Sequence, residues 1–252
     1  MERKANQSET TAANRASMSF WDHLEELRGR LIKALLAFVV ASFIFYSFID
    51  HILATLVKPI GHLVFTSPSD AFMARVTLAL WGGFFLALPV IFYQLWQFVA
   101  AGLKEREKRY VIIFAPVSII LFLIGAIFAY FVAVPMAMQF LMSFSSELMV
   151  PMITVKNYIS FVGTLMLGFG VVFELPLILM FLTKIGIATP EFLVQKRRHA
   201  IVLILIVSAI LTPPDIISQL IMAIPLIVLY ELGIIVSKIT YRNNQPAILK
   251  NS

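Results

Sequence analysis

Residues 110–134 read YVIIFAPVSIILFLIGAIFAYFVAV, an apolar run without a single charged side chain. A helix of that length, rising 1.5 Å per residue, reaches across a hydrocarbon core of roughly 30 Å. The run lacks the polar/apolar alternation of a barrel strand, so a transmembrane helix is the reading. Five more apolar segments lie at 31–49, 76–99, 158–182, 200–211 and 216–236. The fifth is short and is stopped abruptly by Thr212-Pro213-Pro214-Asp215. It is either a short span or one half of a re-entrant pair with the sixth, and both alternatives return the C-terminus to the N-terminal side. The sixth segment is short as well.

Composition agrees with this. Of 252 residues, 60% are hydrophobic and 13% charged, with a mean hydropathy of +0.90. Soluble domains sit nearer half apolar and a quarter charged. The expected fold class is therefore an all-α polytopic membrane protein with six transmembrane helices across 18–240 and lipid as its main solvent. Polar flanks at 1–17 and 241–252 read as cytoplasmic tails, the first of them disordered. The first apolar run follows a charged, helix-like stretch and has no small-residue cleavage site, so it is expected to stay in the protein.

Lysine and arginine set the orientation. On the expected topology, seventeen of the 20 basic residues fall on the side of the termini, and only Lys58, Arg75 and Lys156 fall on the other. Both termini are thus expected to be cytoplasmic. The net charge of +6 describes topology and calls for no nucleic-acid partner. On the opposite side, 50–75 and 135–157 carry enough apolar residues to pack as short helices. Pro89, Pro116, Pro176 and Pro225 interrupt four segments, and bent helices of unequal length are expected to form a cupped wall.

Enzyme signatures are missing. There is no His-Glu-x-x-His, Gly-x-Ser-x-Gly or phosphate-loop glycine pattern, and zero cysteines exclude disulfides and thiol chemistry. No metal or cofactor is expected. Two acidic features stand out instead. Glu174 lies within the fourth segment, where an ionised carboxylate costs about 2.5–3.5 kcal/mol on insertion scales. It is either a polar contact for a cavity or partner helix, or a structural acid held by internal hydrogen bonds. Ahead of the first segment, Phe20, Leu24, Leu27 and Leu31 fall on one helical stripe, which would lie along the membrane or the bundle. Glu26 projects from a different face, and its bland reading is an ordinary i,i+4 pair with Arg30. Glu231 is read as an acid reaching the interface.

Five stretches, taken together and in order, resemble the TatC subunit of the twin-arginine protein translocase. They are 23–28 (HLEELR), 67–79 (SPSDAFMARVTLA), 88–103 (LPVIFYQLWQFVAAGL), 169–176 (FGVVFELP) and 211–219 (LTPPDIISQ). The resemblance implies a receptor for twin-arginine signal peptides of folded cargo in the bacterial cytoplasmic membrane, driven by the proton-motive force. It places Glu26 and Glu107 opposite the arginine pair, with Leu24, Arg28 and Phe98 beside them. Arginine forks pair bidentately with carboxylates, which lysine does less well. Glu174 matches an intramembrane acid that meets TatA/TatB-like single-span subunits. Pro59 matches a loop proline, and Asp215 the acid after Pro213 and Pro214. Self-association in a multimeric complex is also implied. Ala101 stands where the family commonly has proline, and Lys108 where it commonly has arginine. Glu25 and Glu105 are extra carboxylates near the same arginine site. The rival readings are a proton-coupled solute transporter, which needs several convergent polar groups near mid-membrane, and a non-catalytic assembly scaffold.

Overall fold

The computed structural model describes residues 20–57, 64, 67–103, 105–145, 152–211 and 216–244. Pro59, Pro213, Pro214 and Asp215, together with 1–17 and 245–252, lie outside the described residues. All six apolar segments are helical. Among the described residues, five stretches are long and apolar enough to cross a membrane: Trp21–Tyr46, Pro68–Ala101, Glu107–Met142, Val155–Lys184 and Met222–Arg242.

Helix α1 (Phe20–Tyr46) begins well before its apolar segment and ends at Tyr46, short of residue 49, because a new helix α2 (Ile49–Val57) starts there. Helix α3 (Pro68–Ala101) is opened by a capping box. Ser67 N–H donates to Asp70 Oδ2 at 3.1 Å, and Pro68 occupies the first turn, where its missing N–H costs nothing. Pro89 is carried inside α3, and Pro116 inside α4 (Glu105–Phe128).

After α4 the ladder widens into a π turn at Ala129–Ala133 and resumes as α5 (Val134–Met142). Pro135 supplies the reason: it has no N–H to give and its ring clashes with a regular preceding turn. The helix expected in the first part of 135–157 is thus present, as a continuation of the third segment and not as a separate short helix.

The fourth segment divides into α6 (Val155–Phe173) and α7 (Leu175–Lys184). Glu174 is the residue between them, and Pro176 in the first turn of α7 prevents the ladder from running on. Thr154 caps α6, accepting from Asn157 N–H at 3.3 Å. Short helix α8 (Pro190–Gln195) leads into α9 (Arg197–Leu211), which at 15 residues is the short fifth segment. Helix α10 (Ile216–Asn244) carries Pro225 and, at 29 residues, is not the short helix expected of the sixth segment, because the helix runs on past residue 236 into the polar flank.

Among the described residues the packing is helix on helix. Helix α1 lies on α3, α4 on α6, α10 on α7, and α9 on α10. Gly83 permits the first contact: a Cβ there would collide with Ser42. Gly125 permits the second, since a Cβ would stand 2.6 Å from the Phe169 carbonyl oxygen. Large apolar side chains such as Phe43, Ile112 and Phe131 remain outward-facing, as lipid allows and water does not. At the far end of α1, Val64 pairs with the 153–155 strand-like segment (Val155 N–H to Val64 O, 3.1 Å), and Arg75 meets Asp50 at 2.8 Å.

Candidate functional site

The first turns of α1 carry the candidate receptor residues. His23 stacks on Phe98 near the end of α3, with ring centroids 4.4 Å apart and planes 25° off parallel. Gly102, which closes α3, lies against the same imidazole: a Cβ there would be 3.5 Å from His23 Cε1. This stack clamps the start of α1 onto the α3 end and the loop that follows.

One turn beyond His23, Glu26 Oε1 accepts from Arg30 Nε at 2.7 Å and meets Arg30 Nη2 at 2.6 Å. The i,i+4 pair is therefore formed. Arg30 Nη1 also donates to Gln94 Oε1 on α3 at 3.2 Å, so the pair is held across two helices. Asp22, Glu25, Glu26, Gly29, Arg30 and Lys33 line a polar hollow of about 310 Å³. Leu24 and Leu27 on the neighbouring stripe are exposed, as is Leu31. These three leucines are therefore left partly uncovered by the bundle. Arg28 is exposed beside them.

Glu107 sits half-buried in the first turn of α4. One turn further, Tyr110 fastens this end of α4. Lys184, at the end of α7, places its ammonium 5.2 Å from the Tyr110 ring centroid, and Arg109 donates to the Tyr110 hydroxyl at 3.4 Å. Helix start and partner helix are thus tied by a cation over an aromatic face.

Glu174 occupies the break between α6 and α7 and is 7% exposed. Ser118 of α4 sets its hydroxyl against the carboxyl, and Trp96 Nε1 of α3 donates to the same Ser118 oxygen at 2.8 Å. The setting places a buried hydroxyl beside a buried carboxyl whose Oε1 has no hydrogen-bond partner. Glu231 pairs with Arg197 of α9 at 2.7 Å. Among the described residues no group of acids and histidines is arranged to hold a metal.

Residues 22–225 match the family profile of the Sec-independent protein translocase protein TatC. The chain belongs to the TatC family. A TatC of Carboxydothermus hydrogenoformans is 42% identical over 226 residues, covering 88% of this chain and 93% of that one. A TatC of Aquifex aeolicus is 39% identical over 236 residues, covering 90% and 98%. The crystal structure of a twin-arginine translocase receptor TatC superposes with a TM-score of 0.77 at 40% identity, over 86% of this chain and 99% of that one. Membership makes the chain a multi-pass membrane component of a protein translocase, not an enzyme. That outcome disfavours the solute-transporter reading.

Sequence reasoning paired Glu26 with Arg30 but missed His23 and Gln94 as the rest of that frame, and Trp96 and Ser118 as the neighbours of Glu174. Ser118 had a signal, being the sole serine or threonine in 110–134. Gln94 had a weaker one, as an amide within an apolar segment. The others declare themselves only through contacts.

Proposed function

We propose that this chain is the receptor that captures twin-arginine signal peptides, with Glu26 and Glu107 as the carboxylates that hold the arginine pair. The observation that carries the reading is the polar hollow at the start of α1, whose lining includes Asp22, Glu25 and Glu26, clamped by His23 on Phe98 to the end of α3. A guanidinium entering it meets carboxylates at a membrane edge, where a forked donor is favoured over a point charge. Leu24 offers apolar surface to the residues after the arginine pair, and Arg28 faces the same approach. Pro59, Pro213, Pro214 and Asp215 belong to the same proposal as loop elements.

In this reading six helices cross the bacterial cytoplasmic membrane, with both termini cytoplasmic. The shortness of α9 thins the bilayer locally. Glu174 is the intramembrane acid that stabilises a polar group of a TatA/TatB-like single-span subunit, and cargo crosses through the assembled multimer, powered by the proton-motive force.

The test is a site-specific cross-link between the first turn of α4, around Glu107, and a twin-arginine precursor. Glu107→Gln and Glu26→Gln are each expected to reduce capture strongly. Undiminished capture in both variants overturns the assignment and leaves the scaffold reading.

A further inference from the structure

We infer that Arg30 is a built-in competitor for the receptor carboxylate: it occupies Glu26 in the resting protein and must be displaced by the incoming arginine. The inference rests on the assignment of Glu26 proposed above, and concerns what that carboxylate does before cargo arrives.

The geometry is that of a ligand already bound. Two guanidinium nitrogens of Arg30, Nε and Nη2, converge on Glu26 Oε1 at 2.7 and 2.6 Å. This is the contact type an arginine of a signal peptide would seek, made by the same chemical group. The pair is mostly sheltered, with the two side chains 23% and 30% exposed, so it resists screening better than a free surface pair. A third contact gives the arrangement its second state. Nη1 is held by Gln94 Oε1 at 3.2 Å, and Gln94, buried at 9% exposure on α3, offers that acceptor whether or not Glu26 is engaged. When another guanidinium takes Glu26, Arg30 keeps a hydrogen-bonded resting place on Gln94.

The consequence is a threshold. Every cationic ligand of Glu26 must first break the same internal contact, so the competitor weakens all of them by one common factor. A twin-arginine pair retains useful affinity after that loss. A single lysine or arginine in an unrelated segment does not. Discrimination between ligands is unchanged in ratio, because the exchange cost is shared; what changes is how many fall below working concentration. The same exchange assists release, since Arg30 stands ready to reclaim the carboxylate.

The experiment measures binding of a twin-arginine signal peptide, and of its twin-lysine counterpart, to the full chain purified in detergent or nanodiscs. Arg30→Met is expected to tighten both peptides about fivefold, with their ratio preserved. Arg30→Lys keeps charge and stem but loses the fork, and is expected to fall between. Lys33→Met serves as the charge control: its smaller gain should vanish at about 0.5 M salt, whereas the gain from Arg30→Met persists there.

A merely structural Arg30 predicts the opposite sign. If Arg30→Met and Arg30→Lys weaken the twin-arginine peptide or leave its affinity unchanged while Glu26→Gln abolishes binding, the competitor is overturned and the receptor assignment stands. If Glu26→Gln leaves binding unchanged, the receptor assignment itself falls and the competitor with it.

Discussion

Trp96 donates its indole N–H to Ser118 at 2.8 Å, and the same hydroxyl lies against the Glu174 carboxyl. Three buried polar side chains from α3, α4 and the α6–α7 break thereby form one chain through an otherwise apolar interior. Around it, Trp96, Phe114 and Phe181 stack face and edge within 5.6 Å between centroids, which keeps water away from these groups. In a medium that cannot hydrogen-bond, each member depends on the next.

Ser118→Ala strands the Trp96 N–H and removes the hydroxyl beside Glu174. The expected cost is about 1–3 kcal/mol, read as a lower thermal midpoint in detergent. Adding Trp96→Phe should cost less in the Ser118→Ala background than in the parent, because the donor has already lost its acceptor. Additive losses would show that the serine does not bridge.

The clamp at the start of α1 predicts a local effect. Phe98→Ala and His23→Ala each remove a stacked aromatic contact of about 0.5–1.5 kcal/mol. Amide exchange in the first turns of α1 should quicken while the middle of α10 is unaffected, and the double variant should exchange no faster than either single one. Uniform quickening along the chain would point to global destabilisation instead.

Two glycines separate close packing from open surface. Gly83→Val forces a branched side chain into Ser42 on α1, and overpacking of this kind is expected to cost about 1–3 kcal/mol. Gly29 has nothing within 4 Å of a built Cβ, so Gly29→Ala should stabilise α1 by about 0.5–1 kcal/mol through the unfolded chain. Chemical-denaturation midpoints of the two variants should move in opposite directions.

On the α9–α10 side, the Arg197–Glu231 pair is more than a third exposed on both partners. Arg197→Gln is accordingly expected to change stability by less than about 1 kcal/mol. Tyr230→Phe removes a buried hydrogen bond to the Leu193 carbonyl oxygen, 2.8 Å long, and should cost more, about 1–2 kcal/mol. A larger loss from the exposed pair would reverse this ranking.

Much of the fold was legible before any coordinates. Apolar run length is a direct property of the chain, and the bilayer converts it into helices because no other partner exists for the backbone. Proline positions were legible too, although their outcomes differed. Pro89, Pro116 and Pro225 are absorbed within continuous helices, Pro135 follows a π turn, and Pro176 follows a true break at Glu174. Whether a freed carbonyl is tolerated depends on what packs against that turn, which no local pattern records.

By itself, the sequence determined that this chain lives in lipid, which segments are helical, and which carboxylates are anomalous. Those properties follow from composition and run length, and each residue carries them alone. The i,i+4 spacing already paired Glu26 with Arg30; only the tertiary structure added Gln94 to that pair and set Ser118, backed by Trp96, beside Glu174. These added neighbours lie on other helices. Hydrogen bonds reach about 3 Å, whereas sequence separation between helices says nothing about distance until the helices have packed.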